Sequence, residues 1–109
     1  MKEIKAIIQP FMAERVIAAL RAMDALPGLT ISNARGFGRQ RSEGKGGRLD
    51  APSIFGVDKI KLEMVVADEL VGDVIEIIRK HAHTGNAGDG KIFVIPVDGA
   101  VAIRTGARS

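Results

Sequence analysis

Two parts of this chain repeat the same succession of hydrophobic patterns, and this repetition is the strongest constraint on the fold. In each part, apolar residues alternate with polar ones, then recur at helical spacing, then alternate again. The first part predicts a strand over residues 2–9, a helix over 11–23 and a strand over 29–35. The second predicts a strand over 59–66, a helix over 69–83 and a strand over 91–97. The chain is therefore predicted to form two β-α-β halves joined by a long loop and followed by a short tail.

Two β-α-β halves in one chain form the split β-α-β arrangement, a ferredoxin-like fold of the α+β class. It is a sandwich in which an antiparallel sheet carries two helices on one face. Because 109 residues suffice for one core and not for two, we expect a single domain over residues 1–109. No third helix remains for the other face of the sheet, so that face must meet solvent or another subunit.

A glycine-rich stretch before the last strand carries the clearest chemical signal. Residues 84–91 include Gly85, Gly88 and Gly90 and end at Lys91. Glycine leaves amides uncovered and permits positive φ, which allows a loop to fold around an anion, and Lys91 adds a positive charge. The stretch is not a P-loop, because it follows a helix and because no Ser or Thr comes after Lys91 to hold Mg²⁺. We predict a phosphate-binding loop of another kind; the alternative is a plain turn between helix and strand.

The segment between the two halves has no apolar periodicity and is rich in glycine, which predicts a long mobile loop over about residues 37–57. The range from Arg35 to Arg48 contains five basic residues and one acidic residue, Glu43. Such a run is either a solvated basic surface or a surface that attracts nucleotide phosphates, carboxylate metabolites or an acidic partner. Nucleic acid is not an expected partner, because a chain without Trp or Tyr lacks the aromatic platforms that stack unpaired bases.

Other sequence features limit the location and the chemistry. No apolar run approaches the length of a membrane span and the N-terminus has no apolar signal core, so we expect a cytoplasmic protein. The absence of cysteine excludes disulfides, thiolate catalysis and zinc–sulfur sites. His81 and His83 are expected to be a surface pair, since no third metal ligand is near them in the sequence. No residue is placed to be a strong nucleophile or general base, so binding and not catalysis is expected.

Four motifs identify a family. They are Gly-Phe-Gly-Arg-Gln at 36–40, Lys59 at the return of the loop, the glycine-rich residues 84–93, and Ile-Arg-Thr-Gly at 103–106. Together they resemble the PII family of nitrogen regulatory, signal-transduction proteins, and the resemblance covers nearly the whole chain. It implies a homotrimer with nucleotide sites between subunits, where ATP and ADP compete and Mg²⁺-ATP enables 2-oxoglutarate binding. It also implies a loop that changes conformation to bind or release a transporter or enzyme of nitrogen metabolism. If the target is a transporter, the protein would be located at the membrane surface.

The resemblance implies individual site residues as well. Around the phosphates it implies Gly88, Asp89, Gly90 and Lys91, joined by Arg39 from the loop and Arg104 from the C-terminal segment, residues 100–109. Around the base and sugar it implies Ile7, Thr30, Gly36, Phe37, Gly38 and Val65. Gln40 would bind Mg²⁺ and 2-oxoglutarate, and Lys59 would pair with a carboxylate of 2-oxoglutarate.

Three departures from the family pattern affect this assignment. Ala102 replaces the first of two arginines that the family usually has in its C-terminal segment, which removes a charge-assisted contact worth about 1.5 to 3 kcal/mol. Pro52 and Asp50 stand where some members carry a uridylylated tyrosine and a phosphorylated serine; uridylylation is excluded in a chain without Tyr. The loop tip, residues 42–55, differs from that of members that plug the ammonium channel, which leaves a different partner open.

Three other functions stay open at the level of sequence. A nucleotide sensor of the same fold could respond to another small anion, such as bicarbonate, and control a different membrane transporter. A slow ATPase or nucleotide-transfer enzyme would need a base near the γ-phosphate, and the chain offers none. A nucleic-acid-binding module of this fold would use the basic loop and would bind with a steep dependence on salt.

Overall fold

The computed structural model describes residues 1–36 and 56–109. Strand β1 (Lys2–Ile8), helix α1 (Pro10–Arg21) and strand β2 (Thr30–Gly36) form the first half. Strand β3 (Val57–Val66), helix α2 (Val71–Ala82) and strand β4 (Gly90–Pro96) form the second half. Every predicted strand and helix is present, and no end differs from its predicted position by more than two residues.

The strands form one four-stranded antiparallel sheet in the order β2-β3-β1-β4. β1 lies inside the sheet, with Ile4 opposite Met64 of β3 on one side and opposite Val94 of β4 on the other. Helices α1 and α2 pack against each other over one face of the sheet. This is the predicted α+β, ferredoxin-like arrangement, and the prediction of the fold class is confirmed.

The core lies between the helices and one face of the sheet. Ile4, Ala6 and Ile8 alternate with more exposed residues along β1 and are at most 1% exposed. Leu62, Met64 and Val66 add the same alternation from β3. Buried residues at helical spacing complete the core, namely Met12, Ala13, Val16 and Leu20 of α1 and Val74, Ile78 and Ala82 of α2. The apolar face of the strands and the apolar faces of the helices therefore pack into one layer, from which water is excluded.

Neither helix lies over the other face of the sheet, which we call the open face. The alternate residues of β1, β3 and β4 point to it, among them Lys5, Ile7, Lys59, Lys61, Val65, Lys91 and Phe93. Val65 and Phe93 keep 38% and 43% of their surface exposed. An apolar surface of this kind, mixed with charges, is typical of a face that contacts another chain.

The helix predicted over residues 69–83 begins with a separate turn. A 3₁₀ turn, Asp68–Leu70, precedes α2, and Leu70 occupies the N-cap position of α2 without a side-chain hydrogen bond. The two pieces have similar periodicity, which is why the sequence predicts one helix. In the parts of the chain that the structure describes, neither helix is long and apolar enough to cross a membrane.

Candidate functional site

The two ends of the sheet carry different predicted site residues. One end holds the strand termini Ile8, Gly36, Val57 and Gly90. We call it the loop end, because residues 84–89 and the two ends of the long loop are attached there. The opposite end holds the strand termini Lys2, Thr30, Val66 and Pro96. We call it the tail end, because the C-terminal segment follows Pro96.

At the loop end, Gly90 occupies a position that no other residue fits. Its φ is +111°, and a β-carbon added to it would overlap the carbonyl oxygen of Ile7 and lie 2.9 Å from the carbonyl carbon. Gly85 and Gly88 also have positive φ, at +92° and +96°. Glycine at position 90 therefore lets the loop pass directly against the backbone of β1, which a side chain would prevent, whereas at positions 85 and 88 glycine permits the positive φ.

The glycine-rich loop is held by hydrogen bonds to a single carboxylate. The Asp89 carboxylate accepts hydrogen bonds from the Thr84 amide at 2.7 Å, from the Gly85 amide at 2.9 Å and from the Thr84 hydroxyl. The same hydroxyl oxygen accepts a hydrogen bond from the Asn86 amide at 3.1 Å. We call this group of hydrogen bonds among Thr84, Gly85, Asn86 and Asp89 the latch.

The hydrogen bonds of the latch also favour the ionised form of the Asp89 side chain. Partial burial disfavours the charged form and acts to raise the pKa of Asp89, but the hydrogen bonds from Thr84 and Gly85 outweigh it, with help from the nearby His83. The pKa of Asp89 therefore lies below its ordinary value of 3.8. The carboxylate is ionised at neutral pH, and its hydrogen bonds are charge-assisted.

Three lysines surround Ile7 at the loop end of the open face. Lys61 and Lys91 are the cross-strand neighbours of Ile7 on β3 and β4. Lys59, one pleat further along β3, donates a hydrogen bond to the carbonyl of Gly88 at 3.2 Å. None of the three takes part in an ion pair with another described residue. Their positive charges therefore add up beside the glycine-rich loop, which favours an anion there.

The tail end carries an open cavity of about 470 Å³. It is lined by Thr30 and Val65 together with Glu3, Pro27, Gly28 and Glu63. Arg104 belongs to the C-terminal segment, in which Val101 pairs with Arg108 and Ala102 with Ala107. Lys91 and Pro96 are five residues apart on β4, or about 17 Å, and Arg104 follows Pro96.

The predicted site residues therefore fall into two groups. Ile7, Gly36, Lys59 and residues 88–91 lie at the loop end. Thr30 and Val65 lie toward the tail end, and Arg104 follows it in the chain. Thr30 and Gly36 are the first and last residues of β2, which places them about 20 Å apart. One copy of the chain does not bring both of them to the same base and sugar.

Four predicted site residues, Phe37, Gly38, Arg39 and Gln40, lie outside the described residues. His81 is within hydrogen-bond distance of the Ile77 carbonyl of its own helix, at 2.9 Å, and His83 is exposed. Among the described residues, no cluster of three or more His, Asp or Glu side chains has the geometry of a metal site.

The sequence assigned no individual role to three residues that lie at the loop end. Thr84 holds the latch, and the side-chain nitrogen of Gln9 lies 3.3 Å from where a β-carbon of Gly88 would be. Gly56 has φ of +88°, and its β-carbon would come within 2.8 Å of the Gly36 backbone, so glycine is required where the long loop returns. The only signal for Gly56 was its place at the end of the long loop, which also contains several glycines. Gln9 had no signal, because its proximity to Gly88 joins residues that are far apart in the sequence.

Comparison with known proteins identifies the family. The family model described as "Nitrogen regulatory protein P-II" matches residues 1–107. The chain belongs to the P-II family. The protein named nitrogen regulatory protein P-II in Azospirillum brasilense is similar to this chain, with 45% identity over 97% of this chain and 94% of its own length. The relative in Rhodospirillum rubrum is 44% identical over 99% of this chain and 96% of its own length.

Membership of the P-II family determines the general function. The chain is a signal-transduction protein of nitrogen regulation and not an enzyme. Among the described residues, the glycine-rich loop and the three lysines of the loop end combine backbone amides and positive charges, which favour an anion.

Proposed function

We propose that this P-II protein senses ATP and ADP at sites between the copies of a homotrimer. We further propose that 2-oxoglutarate binds together with Mg²⁺-ATP, through Gln40 and Lys59. In this proposal, the loop over about residues 37–57 carries the signal to a transporter or enzyme of nitrogen metabolism. A transporter partner would bring the protein to the membrane surface.

The chemistry of the loop end supports phosphate binding. Gly85, Gly88 and Gly90 at positive φ leave the loop backbone without side chains, and Lys91 adds a positive charge that no ion pair among the described residues neutralises. A polyphosphate is the biological anion that such a set of amides and lysines fits best. Arg39 and Arg104 are proposed to add charge-assisted contacts, the first from the long loop and the second from a neighbouring copy.

One observation favours sites that two copies share. The residues proposed to contact the base and sugar include Thr30 and Gly36, about 20 Å apart at the two ends of β2. A single adenosine cannot contact both in one copy. If the tail end of one copy faces the loop end of the next, Thr30, Val65 and Arg104 of one chain come close to Gly36 and Lys91 of the other. The exposed Val65 and Phe93 of the open face are consistent with such an assembly.

The position of Lys59 supports a connection between the nucleotide and the second effector. Its ammonium group donates to the Gly88 carbonyl in the loop that is proposed to hold the phosphates. A carboxylate ligand at Lys59 would therefore lie next to the nucleotide phosphates, where Mg²⁺ would be needed to offset the repulsion between two anions.

Calorimetric titration tests the ligands. ATP and ADP are each titrated in the presence of Mg²⁺, with and without 2-oxoglutarate. We expect both nucleotides to bind and 2-oxoglutarate to give heat only with Mg²⁺-ATP. Lys91→Ala should weaken ATP binding about tenfold or more, whereas Lys80→Ala, which alters an exposed lysine of α2, should not. Nucleotide binding without any response to 2-oxoglutarate would favour a sensor of another anion, such as bicarbonate.

Mixed oligomers test the shared site. Lys91→Ala damages the loop end of every copy, and Val65→Glu places a charge at the tail end of every copy. Each variant alone should lose most of its ATP binding. When the two are co-expressed, a mixed trimer keeps one site in which both halves are intact, so we expect about a quarter of the wild-type capacity to return. A mixture that binds no more than the separate variants would contradict a site between copies.

A further inference from the structure

We propose that Asp89 is a positioning residue of the nucleotide site. Through Thr84 it holds residues 84–90 in the conformation that receives phosphates, and its carboxylate does not contact the ligand. This inference depends on the nucleotide site proposed above and assigns to Asp89 a different task from that of the lysines around it.

The contacts of Asp89 carry the inference. One carboxylate oxygen accepts from the Thr84 and Gly85 amides, at 2.7 and 2.9 Å, and the other accepts from the Thr84 hydroxyl. A carboxylate has about four acceptor positions, so three of them are used within the loop. The amides of Thr84 and Gly85 are likewise occupied and are not free to bind a phosphate. The Asn86 amide is occupied as well, because it donates to the Thr84 hydroxyl oxygen, so the candidate donors for a ligand come after residue 86 and include the Lys91 side chain.

The charge of Asp89 agrees with this role. A carboxylate repels a polyphosphate unless a cation lies between them, so an Asp89 side chain directed at the phosphates would oppose binding. Because Asp89 is bonded toward residues 84 and 85, its negative charge is already balanced by amide and hydroxyl dipoles before any ligand arrives.

The composition of the loop explains why such a residue is needed. Gly85, Gly88 and Gly90 all have positive φ, and glycine has the most conformational freedom to lose when a loop becomes ordered. A loop that reaches its binding conformation only part of the time binds its ligand more weakly in the same proportion. The latch joins Thr84 and Gly85 to Asp89, so it restricts the conformation of this segment before the ligand binds.

Two pairs of variants separate geometry from charge. Asp89→Ala removes the acceptors, whereas the side-chain oxygen of Asp89→Asn can still accept from both amides without the charge. Thr84→Val removes the hydroxyl at almost constant shape, whereas Thr84→Ser keeps it. Asp24→Ala is the control, because it alters an exposed aspartate that follows the C-terminus of α1, away from the loop end.

The affinities of these variants for ATP and ADP are measured by calorimetry. We expect Asp89→Ala and Thr84→Val to bind both nucleotides about tenfold more weakly. Asp89→Asn and Thr84→Ser should stay within about twofold of the wild type or bind more tightly, since the geometry remains and, in Asp89→Asn, a repelling charge is lost. Asp24→Ala should match the wild type. Hydrogen exchange of the Thr84 and Gly85 amides without ligand should be faster in Asp89→Ala than in Asp24→Ala.

Each contrary result points to a different error. Wild-type protein that binds neither ATP nor ADP would overturn the nucleotide site itself, and with it the role of Asp89 there. Wild-type binding together with unchanged affinity in Asp89→Ala and Thr84→Val would overturn the latch alone. Equal losses in Asp89→Asn and Asp89→Ala would show that the negative charge of Asp89 is required and that its geometry alone is not enough, which also contradicts the proposal.

Discussion

Replacement of Gly90 by alanine should destabilise the protein more than replacement of any other glycine in the loop. Two costs add up at this position. A non-glycine residue at φ of +111° is strained by about 1 to 2 kcal/mol. The new methyl group would also overlap the Ile7 carbonyl oxygen, so the start of β4 must move away from β1. Overpacking of this kind typically costs about 1 to 3 kcal/mol, and we expect a total of about 2 to 5 kcal/mol.

Gly85→Ala is the matched control, because it changes the same residue type in the same loop. Gly85 has a similar φ of +92°, but the nearest atom to an added β-carbon is a carbon of the His83 ring at 3.9 Å. The strain is therefore present and the overlap is not, so we expect a loss of about 1 to 2 kcal/mol. The reduced freedom of the unfolded chain on replacing glycine is common to both variants and cancels when they are compared.

Urea unfolding measures both free energies. Far-ultraviolet circular dichroism is the suitable signal, since the chain has no Trp or Tyr to report by fluorescence. Protein concentrations must be equal, because assembly of copies adds to the apparent stability. Equal losses for Gly90→Ala and Gly85→Ala would refute the reasoning, since only the contact with Ile7 distinguishes the two positions.

Two further predictions follow from the charges of the site. The lowered pKa of Asp89 means that its contribution to the free energy of unfolding is complete above its ordinary pKa of 3.8 and is lost as the pH falls through the lower, folded-state value. The difference in stability between wild type and Asp89→Asn, measured by urea unfolding, should therefore be constant from about pH 5 to 7 and shrink below pH 3.8; a steady decline between pH 7 and 5 would contradict this. Ala102→Arg adds one cation to the exposed C-terminal segment and should tighten ATP binding about tenfold in calorimetry, whereas Ala102→Gln should not; equal effects would exclude a charge contact at this position.

The fold was predictable because its signals are local. Alternation along β1 and β3 and helical spacing along α1 and α2 depend only on which neighbours in the chain are apolar. The 3₁₀ turn before α2 was not predicted, because its spacing resembles that of the helix that follows. The glycine-rich loop was recognised as a possible phosphate site from its composition alone, since the need for positive φ is a property of each residue.

The internal contacts of the candidate site were less predictable, because they join residues that are distant in the sequence. Lys59 reaches the Gly88 carbonyl across 29 positions, and Gly56 contacts Gly36 across the whole long loop. Asp89 was expected among the residues around the phosphates, which remains a prediction. The direction of its side chain toward Thr84 and Gly85 could not be read from its place between two glycines.

The sequence by itself determined the order of the elements, the buried face of each and the places where the chain turns, because each of these follows from the chemistry of adjacent residues. Only the tertiary structure decided the strand order and register, since these depend on which apolar faces pack together over long separations. That order puts Ile7 between Lys61 and Lys91 and leaves Thr30 at the other end of the sheet from Gly36. The physical reason is that local patterns define surfaces, whereas the packing of the core decides which surfaces meet.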